Sequence, residues 1–154
     1  EVNRYLESVG YFPSTQANLE QWLRKYADST QNMAFAIVEK ESGQFIGTTT
    51  LNAINWIHRT AAIGIMIGRR DYWGKGYATE TAHALVDAAF RGTAVDRLEA
   101  ACRVTNSASR RVLHKCGFQF TGHGMKSSLA AGRINVERYR LDRALSLAQA
   151  CRGG

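Results

Sequence analysis

The sequence predicts an α+β domain in which helices flank one mixed, mostly antiparallel sheet. Three observations lead there. MAFAIVEK and QFIGTTTL are strand-like runs joined by the turn residues ESG, which is a hairpin pattern. RLEAACRV alternates apolar and polar residues between two stretches of helical spacing, giving a strand with a helix on either side. FQFTGHG and INVERYRL close the chain as a second strand pair. A length of 154 residues suits one domain, spanning 1–154, with a sizeable core.

The elements follow in order. Pro13, Ser14 and Thr15 precede Leu19, Trp22, Leu23 and Tyr26, apolar residues at i, i+3, i+4 and i+7, so a Ser- or Thr-capped helix is expected from Thr15 to Ala27. The hairpin runs come next. Asn52 to Thr60, a polar segment with Trp56 and His58, reads as a loop before a third strand, Ala61 to Ile67. YWGKGYATE, Tyr72 to Glu80, forms a junction into a helix whose apolar stripe is Ala78, Ala82, Leu85, Val86, Ala89 and Phe90, with Gly92 as its stop. Leu98, Ala100, Cys102 and Val104 form the inner face of the next strand. Asn106 or Ser107 caps a helix ending near Cys116 and Gly117, and residues 143–154 read as a short helical or frayed tail.

Composition narrows the function classes. Hydrophobic residues make up 45% and charged residues 21%, values of an ordinary globular chain, and no apolar run approaches the ~18 residues of a membrane span. No basic-then-apolar leader opens the sequence, so a cytoplasmic protein is the default expectation. Cys102, Cys116 and Cys151 are odd in number and lack CxxC spacing, so reduced thiols are expected, with neither a disulfide framework nor a metal site. The formal net charge of +7 favours anionic ligands. The arginines are dispersed and not interleaved with aromatics, which weighs against a nucleic-acid-binding domain, the lesser of two alternatives considered.

Gly74 and Gly76 raise the question of what binds beside them. Successive N–H groups from Gly74 to Ala78 at a helix start form an anion nest, reinforced by the helix dipole. A dinucleotide fingerprint fails, because Thr79 stands at its third glycine and a hairpin precedes the motif. Walker A spacing is also absent. A tight turn alone would explain the glycines, so a second motif has to decide, and VTNSASRRVLHKCGFQFTG supplies it.

Together, IGIMIGRRDYWGKGYATETA and VTNSASRRVLHKCGFQFTG resemble the GCN5-related N-acetyltransferases (GNAT), in the branch that holds ribosomal-protein, spermidine and aminoglycoside acetyltransferases. Trp73, Gly76 and Ala78 match that family's acetyl-CoA motif, and Asn106, Ser109, Gly117 and Phe118 match its Asn-x-x-Ser … Gly-Phe signature. The likeness covers about Ala34 to Leu141. It implies a V-shaped sheet in which Ala61 to Ile67 and Leu98 to Val104 splay apart around acetyl-CoA. The cofactor contacts implied are Ile65, Met66, Ile67, Trp73, Gly74, Lys75, Gly76, Tyr77, Ala78, Thr79 and Asn106. Arg69, Arg70, Arg110 or Arg111 would join Lys75 at the outer phosphates.

The activity implied is direct transfer of an acetyl group to a primary amine in a ternary complex. Such chemistry needs a neutral nitrogen, donors for a developing oxyanion and a proton for the leaving thiolate. Backbone N–H groups at a bulge around Ile65 or Met66 would serve the oxyanion. Asn106 would order the cofactor arm and Ser109 would protonate the sulfur, directly or through water, although both residues also suit a helix cap. The base departs from the pattern: many relatives read Ala-Glu-x-Gly where this chain reads AAIGI, with Ala62 in the carboxylate's place. Glu137, His58 or a chain of waters would replace it. Cys102 and Cys116 have no sequence-evident His partner, which disfavours a covalent route.

Trp56, His58 and Arg133 to Tyr139 are expected beside the acceptor. The positive charge mildly favours a protein N-terminus, or a neutral or acidic small amine, over polyamines. Relatives usually carry a strand ahead of the first helix that is not evident here. Glu1 to Tyr11 would take its place, or a second copy would cover the open sheet edge as a homodimer. Ala62 also motivates the other alternative, a non-catalytic acyl-CoA-binding module.

Overall fold

The computed structural model describes residues 15–128 and 132–150, so Glu1 to Tyr11 lie outside the described residues. The elements in chain order are α1 (Gln16–Ala27), β1 (Met33–Val38), β2 (Phe45–Asn55), β3 (Thr60–Ile67), α2 (Tyr77–Gly92), β4 (Arg97–Arg103), α3 (Ser107–Lys115), β5 (Gln119–Ser128), β6 (Gly132–Asp142) and α4 (Arg143–Ala150). A single turn of 3-10 helix, Arg70–Tyr72, lies between β3 and α2. Each expected element is present. The predicted loop from Asn52 to Thr60 is mostly strand: β2 runs on to Asn55, and only Trp56 to Arg59 turn the chain. The Asn55 carboxamide makes this possible by accepting from the Ile57 and His58 N–H groups, at 3.0 and 2.8 Å.

Local chemistry sets the helix starts. Thr15 Oγ1 accepts from Asn18 N–H at 3.2 Å and Asn106 Oδ1 accepts from Ser109 N–H at 3.1 Å, two side-chain caps that the sequence anticipated. The apolar stripe of α1 is less buried than its spacing suggested, with Leu19 and Leu23 more than half exposed. The helix is anchored at its end instead, where the Tyr26 hydroxyl donates to Asn52 Oδ1 at 2.7 Å.

The six strands form one sheet in the order β1-β2-β3-β4-β6-β5. Every neighbouring pair is antiparallel except β3 and β4, which run parallel. That parallel pairing covers only Thr60 with Arg97, Ala61 with Leu98, and Ala62 with Glu99. Beyond it β3 continues to Ile67 and β4 to Arg103 without pairing, so the sheet opens into a wedge. Backbone alternation fixes which groups look into the wedge. Gly68 N–H donates to Ile46 and Arg97 N–H to Arg59, so even-numbered β3 residues bond β2 and odd-numbered ones turn toward β4. Ile65 and Ile67 therefore face the opening, while Met66 is paired with Thr48.

Helices α2 and α3 cover one face of the sheet. Ala82, Leu85, Val86, Ala89 and Phe90 from α2 and Leu113 from α3 meet Leu98, Ala100, Tyr139 and Leu141 in one buried cluster. Gly47 has a separate reason: a Cβ there would stand 2.0 Å from the Met66 carbonyl oxygen, so only glycine lets β2 and β3 approach. Leu98 is fully buried at the root of the wedge. Leu98→Ala is expected to lower unfolding stability by about 2–5 kcal/mol in urea titrations, as for other buried Leu truncations.

Candidate active site

The site begins where β3 ends. The 3-10 turn is closed by Tyr72 N–H to Arg69 and Trp73 N–H to Arg70, and the chain then reverses through Gly74 (φ 72°) and Gly76 (φ 93°). Both angles lie in the left-handed region, which is why glycine stands at each. The Trp73 indole N–H donates to the Ile67 carbonyl at 2.8 Å, tying the junction to the strand end. Thr79 and Glu80 N–H return to the Gly76 carbonyl. Among the described residues no acceptor engages the N–H groups of Gly74, Lys75, Gly76, Tyr77 or Ala78. These five donors stand at the positive end of the 16-residue helix α2, an arrangement suited to an oxyanion or phosphate.

Cations gather around the nest. Lys75 Nζ lies 5.7 Å from the Tyr72 ring centroid, and Tyr72 meets Tyr77 edge-on. Arg70 lies 6.0 Å from the Trp73 ring. Arg69 is already paired with Asp71 at 2.8 Å and bonds Gln44, so less of its charge is free.

The second motif meets the first through the helices. Cys116, at the end of α3, donates its thiol hydrogen to the Thr79 carbonyl at 3.8 Å, so the end of α3 is held to the start of α2. Residues 1–119 match the family model for the acetyltransferase (GNAT) domain.

The chain belongs to the GNAT acetyltransferase family.

It is thus an acetyl-CoA-dependent N-acetyltransferase. The uncharacterized N-acetyltransferase p20 of Bacillus licheniformis is 31% identical over 135 residues, 87% of this chain and 75% of that protein. The spermidine N(1)-acetyltransferase of Vibrio cholerae is 28% identical over 75% of this chain and 65% of its own length. A crystal structure of spermidine N-acetyltransferase from Vibrio cholerae with CoA and spermine shares the fold, with a TM-score of 0.83 at 24% identity, over 95% of this chain and 85% of that one.

This acetyltransferase has a polar trio that ties α3 to β6, with Glu137 and Tyr139 buried and Arg110 half-exposed. Glu137 is 8% exposed; Arg110 Nη1 donates to its Oε1 at 2.9 Å and the Tyr139 hydroxyl to its Oε2 at 2.8 Å. Both carboxylate oxygens are thereby engaged. The Tyr139 hydroxyl, with the Arg110 charge behind it, holds the Glu137 carboxyl below the usual range. Tyr139 in turn is pushed up, first by burial and then by its bond to Glu137. Both described cysteines are pushed up by burial, Cys116 to about 11, so neither is a thiolate at neutral pH.

The sequence-predicted residues are not all brought together. Gly74 to Thr79, Ile65, Ile67, Asn106, Ser109 and Glu137 lie toward the open end. Met66 turns its backbone toward β2, and the β2–β3 register shift lies between Asn52 and Asn55, not at Ile65 or Met66. Trp56 and His58 sit on the tight turn before β3, and eight residues of strand put them roughly 25 Å from the nest. Trp56 is committed there, its indole N–H donating to the Thr30 carbonyl at 2.9 Å. Arg110, a candidate for the phosphates, is spent on Glu137. Sequence reasoning missed this trio: Glu137 and Tyr139 share one face of β6, but Arg110 joins them only through the packing of α3. No cluster of three His, Cys, Asp or Glu side chains suited to a metal occurs among the described residues, and none of their helices is long and apolar enough to cross a membrane.

A depressed Glu137 pKa stabilises the fold wherever the unfolded carboxyl is ionised, above its ordinary value of about 4.3, and that stability is lost as pH falls through the lower folded value. Glu137→Gln is expected to reduce stability at pH 7 and to flatten the acid limb of a stability–pH profile. Unchanged acid dependence by thermal melts between pH 2 and 6 would contradict this.

Proposed function

We propose that this acetyltransferase moves the acetyl group directly from acetyl-CoA to a primary amine, a protein N-terminus or a small-molecule amine, in a ternary complex. The observation that carries the reading is the wedge itself, where, among the described residues, β3 backbone is unpaired on one side and five N–H groups at its mouth have no acceptor. The residues fit the co-substrate without a Cβ in the way: around Gly74 and Gly76 there is open space within 4 Å. When bound, acetyl-CoA supplies an acetyl thioester, an acyl group already activated for transfer.

The chain's own groups do the rest. Gly74, Lys75, Gly76, Tyr77 and Ala78 hold the pyrophosphate through their N–H groups, with Lys75 adding charge and Trp73 and Thr79 fixing the two ends of the nest. Ile65 and Ile67 offer backbone groups along the pantetheine path, and Ile65 N–H is the donor placed to polarise a carbonyl, without any bulge. The Ile67 carbonyl is occupied by Trp73, so Trp73 fixes this strand end rather than contacting the ligand through its ring nitrogen. Asn106 uses its carbonyl oxygen as the helix cap and keeps its amide N–H groups for the cofactor arm. Ser109, half-buried one turn into α3, gives the leaving sulfur its proton. Glu137 has no free oxygen, so it positions Arg110 and Tyr139. The protonated, buried cysteines support transfer without a covalent enzyme intermediate. We place the protein in the cytoplasm, where such thiols stay reduced.

Calorimetry with acetyl-CoA, against 3′-dephospho-CoA and ATP, tests the site, followed by a screen of peptide N-termini, spermidine and small amines. Gly76→Asp and Lys75→Glu are each expected to weaken acetyl-CoA binding, the former by roughly 100-fold through charge and blocked N–H groups, with far-ultraviolet dichroism unchanged. Equal affinity in both variants would sink the anion-nest assignment. Binding without turnover on any amine would favour the non-catalytic acyl-CoA module. β1 is a sheet edge with Phe35 and Val38 exposed, which supports pairing with a second copy. A monomeric mass by light scattering at micromolar concentration would overturn that pairing.

A further inference from the structure

The wedge has two faces, and only one is covered by α2 and α3. The other is built differently. On β4 the core-facing residues are Leu98, Ala100 and Cys102, so Glu99, Ala101 and Arg103 point to the opposite face, which α1 reaches at Asn52 of β2 through the Tyr26 hydroxyl. On β3 the residues of that face are Ala62, Gly64 and Met66, by the same alternation. Glu99 is registered with Ala62 in the last pair before the strands part, so its carboxylate stands at the root of the wedge. Its neighbours there are the Ala62 methyl, Gly64 and Ala101, with Asn52, and the Tyr26 hydroxyl bonded to it, one strand further on. A Cβ at Gly64 would come within 2.6 Å of Thr50 Oγ1, which keeps that position bare.

The charged groups around Glu99 are Arg97 and Arg103 on its own strand, and Arg138, Arg140 and Asp142 on β6; β3 adds none. Arg140 is its cross-strand partner, yet Arg140 Nε bonds Asp142 at 3.0 Å and Arg97 Nε bonds the same carboxylate at 2.9 Å. Among the described residues no hydrogen bond or salt bridge engages the Glu99 carboxylate, and it is exposed. Glu137, by contrast, faces the covered side with both oxygens bonded. The anion nest and its helices occupy the other face, which leaves this one, flanked by α1 at Asn52, for an acceptor. The first carboxylate it meets at the root of the wedge is Glu99.

We propose that Glu99 is the general base of the acetyl transfer, an inference that rests on the reading above. The incoming ammonium gives one proton to the Glu99 carboxylate, which frees the nitrogen lone pair. The C–N bond then forms at the thioester carbonyl as the C–S bond breaks. The nitrogen's second proton leaves as the amide forms, and one proton ends on the departing sulfur. Acetyl-CoA and an ammonium thus become an amide, a thiol and one proton, which Glu99 returns to solvent.

The test compares wild type, Glu99→Gln and Glu99→Asp with acetyl-CoA and two probes, spermidine and a peptide with a free N-terminal serine. At pH 7, Glu99→Gln is expected to lower kcat by about 100-fold or more on the probe that wild type acetylates, with Glu99→Asp in between and acetyl-CoA affinity unchanged by calorimetry. The deficit should shrink as pH approaches the amine's own pKa, about 8 for an α-amino group or about 10 for an alkylamine, because solution then supplies neutral amine. Activity of Glu99→Gln within twofold of wild type at pH 7, or a deficit constant across that pH range, would overturn the base assignment alone. Wild type that binds acetyl-CoA and acetylates neither probe would overturn the transfer reading and this inference with it.

Discussion

The three-residue parallel register between β3 and β4 is the constraint on which the architecture depends. It is the one join between an antiparallel β1-β2-β3 half and an antiparallel β4-β6-β5 half. A longer register would have closed the sheet and satisfied every backbone group of Ile65 and Ile67. A shorter one would have left two ribbons with no common core. Leu98 and Ala61, buried side by side in that register, hold the root together while the strands diverge above it. Burial of apolar side chains at the root, with α2 and α3 wedged across one face, makes an open slot stable in a sheet that would otherwise seek pairing.

Once the slot exists, its two ends acquire different chemistry. At the closed end charges neutralise one another: Arg59 and Arg143 meet Asp96, and Arg97 and Arg140 meet Asp142. At the open end, two left-handed glycines and a helix start leave backbone donors without an acceptor among the described residues. The Cys116 contact to Thr79 and the Arg110–Glu137–Tyr139 trio lock α3 to α2 and to β6, so donors from separate parts of the chain keep fixed relative positions. This fixity matters for a catalyst that works mainly by orientation and preorganised dipoles.

Much of this was legible in the sequence, for identifiable reasons. Period-two alternation in RLEAACRV and helical spacing after Gly76 report burial directly, so strands, helices and caps could be read residue by residue. Gly74, Gly76 and the Asn106 cap were visible because turn chemistry is local. Register was not legible. Whether Ile65 or Met66 faces the wedge depends on pairing with β2, and a one-residue difference reverses the answer. Nor could spacing reveal that Asn55 tightens the turn before β3 and carries Trp56 and His58 to the far end of the strand. Glu137 looked available on its strand because its partners, Arg110 and Tyr139, reach it from α3 and from two residues along the same face of β6. Glu99 looked like an ordinary solvent-facing strand residue, and only its registration with Ala62 distinguishes it.

The central claim is that acetyl-CoA enters the wedge along β3 and rests its phosphates on the start of α2. Titrating uniformly labelled protein with acetyl-CoA and following backbone amide resonances tests it most directly. The account predicts saturable shifts at Gly74 to Ala78 and at Ile65 and Ile67, with Met66, His58 and Arg59 little changed. Shifts concentrated at the Trp56 to Arg59 turn, with Gly74 and Gly76 unmoved, would contradict it.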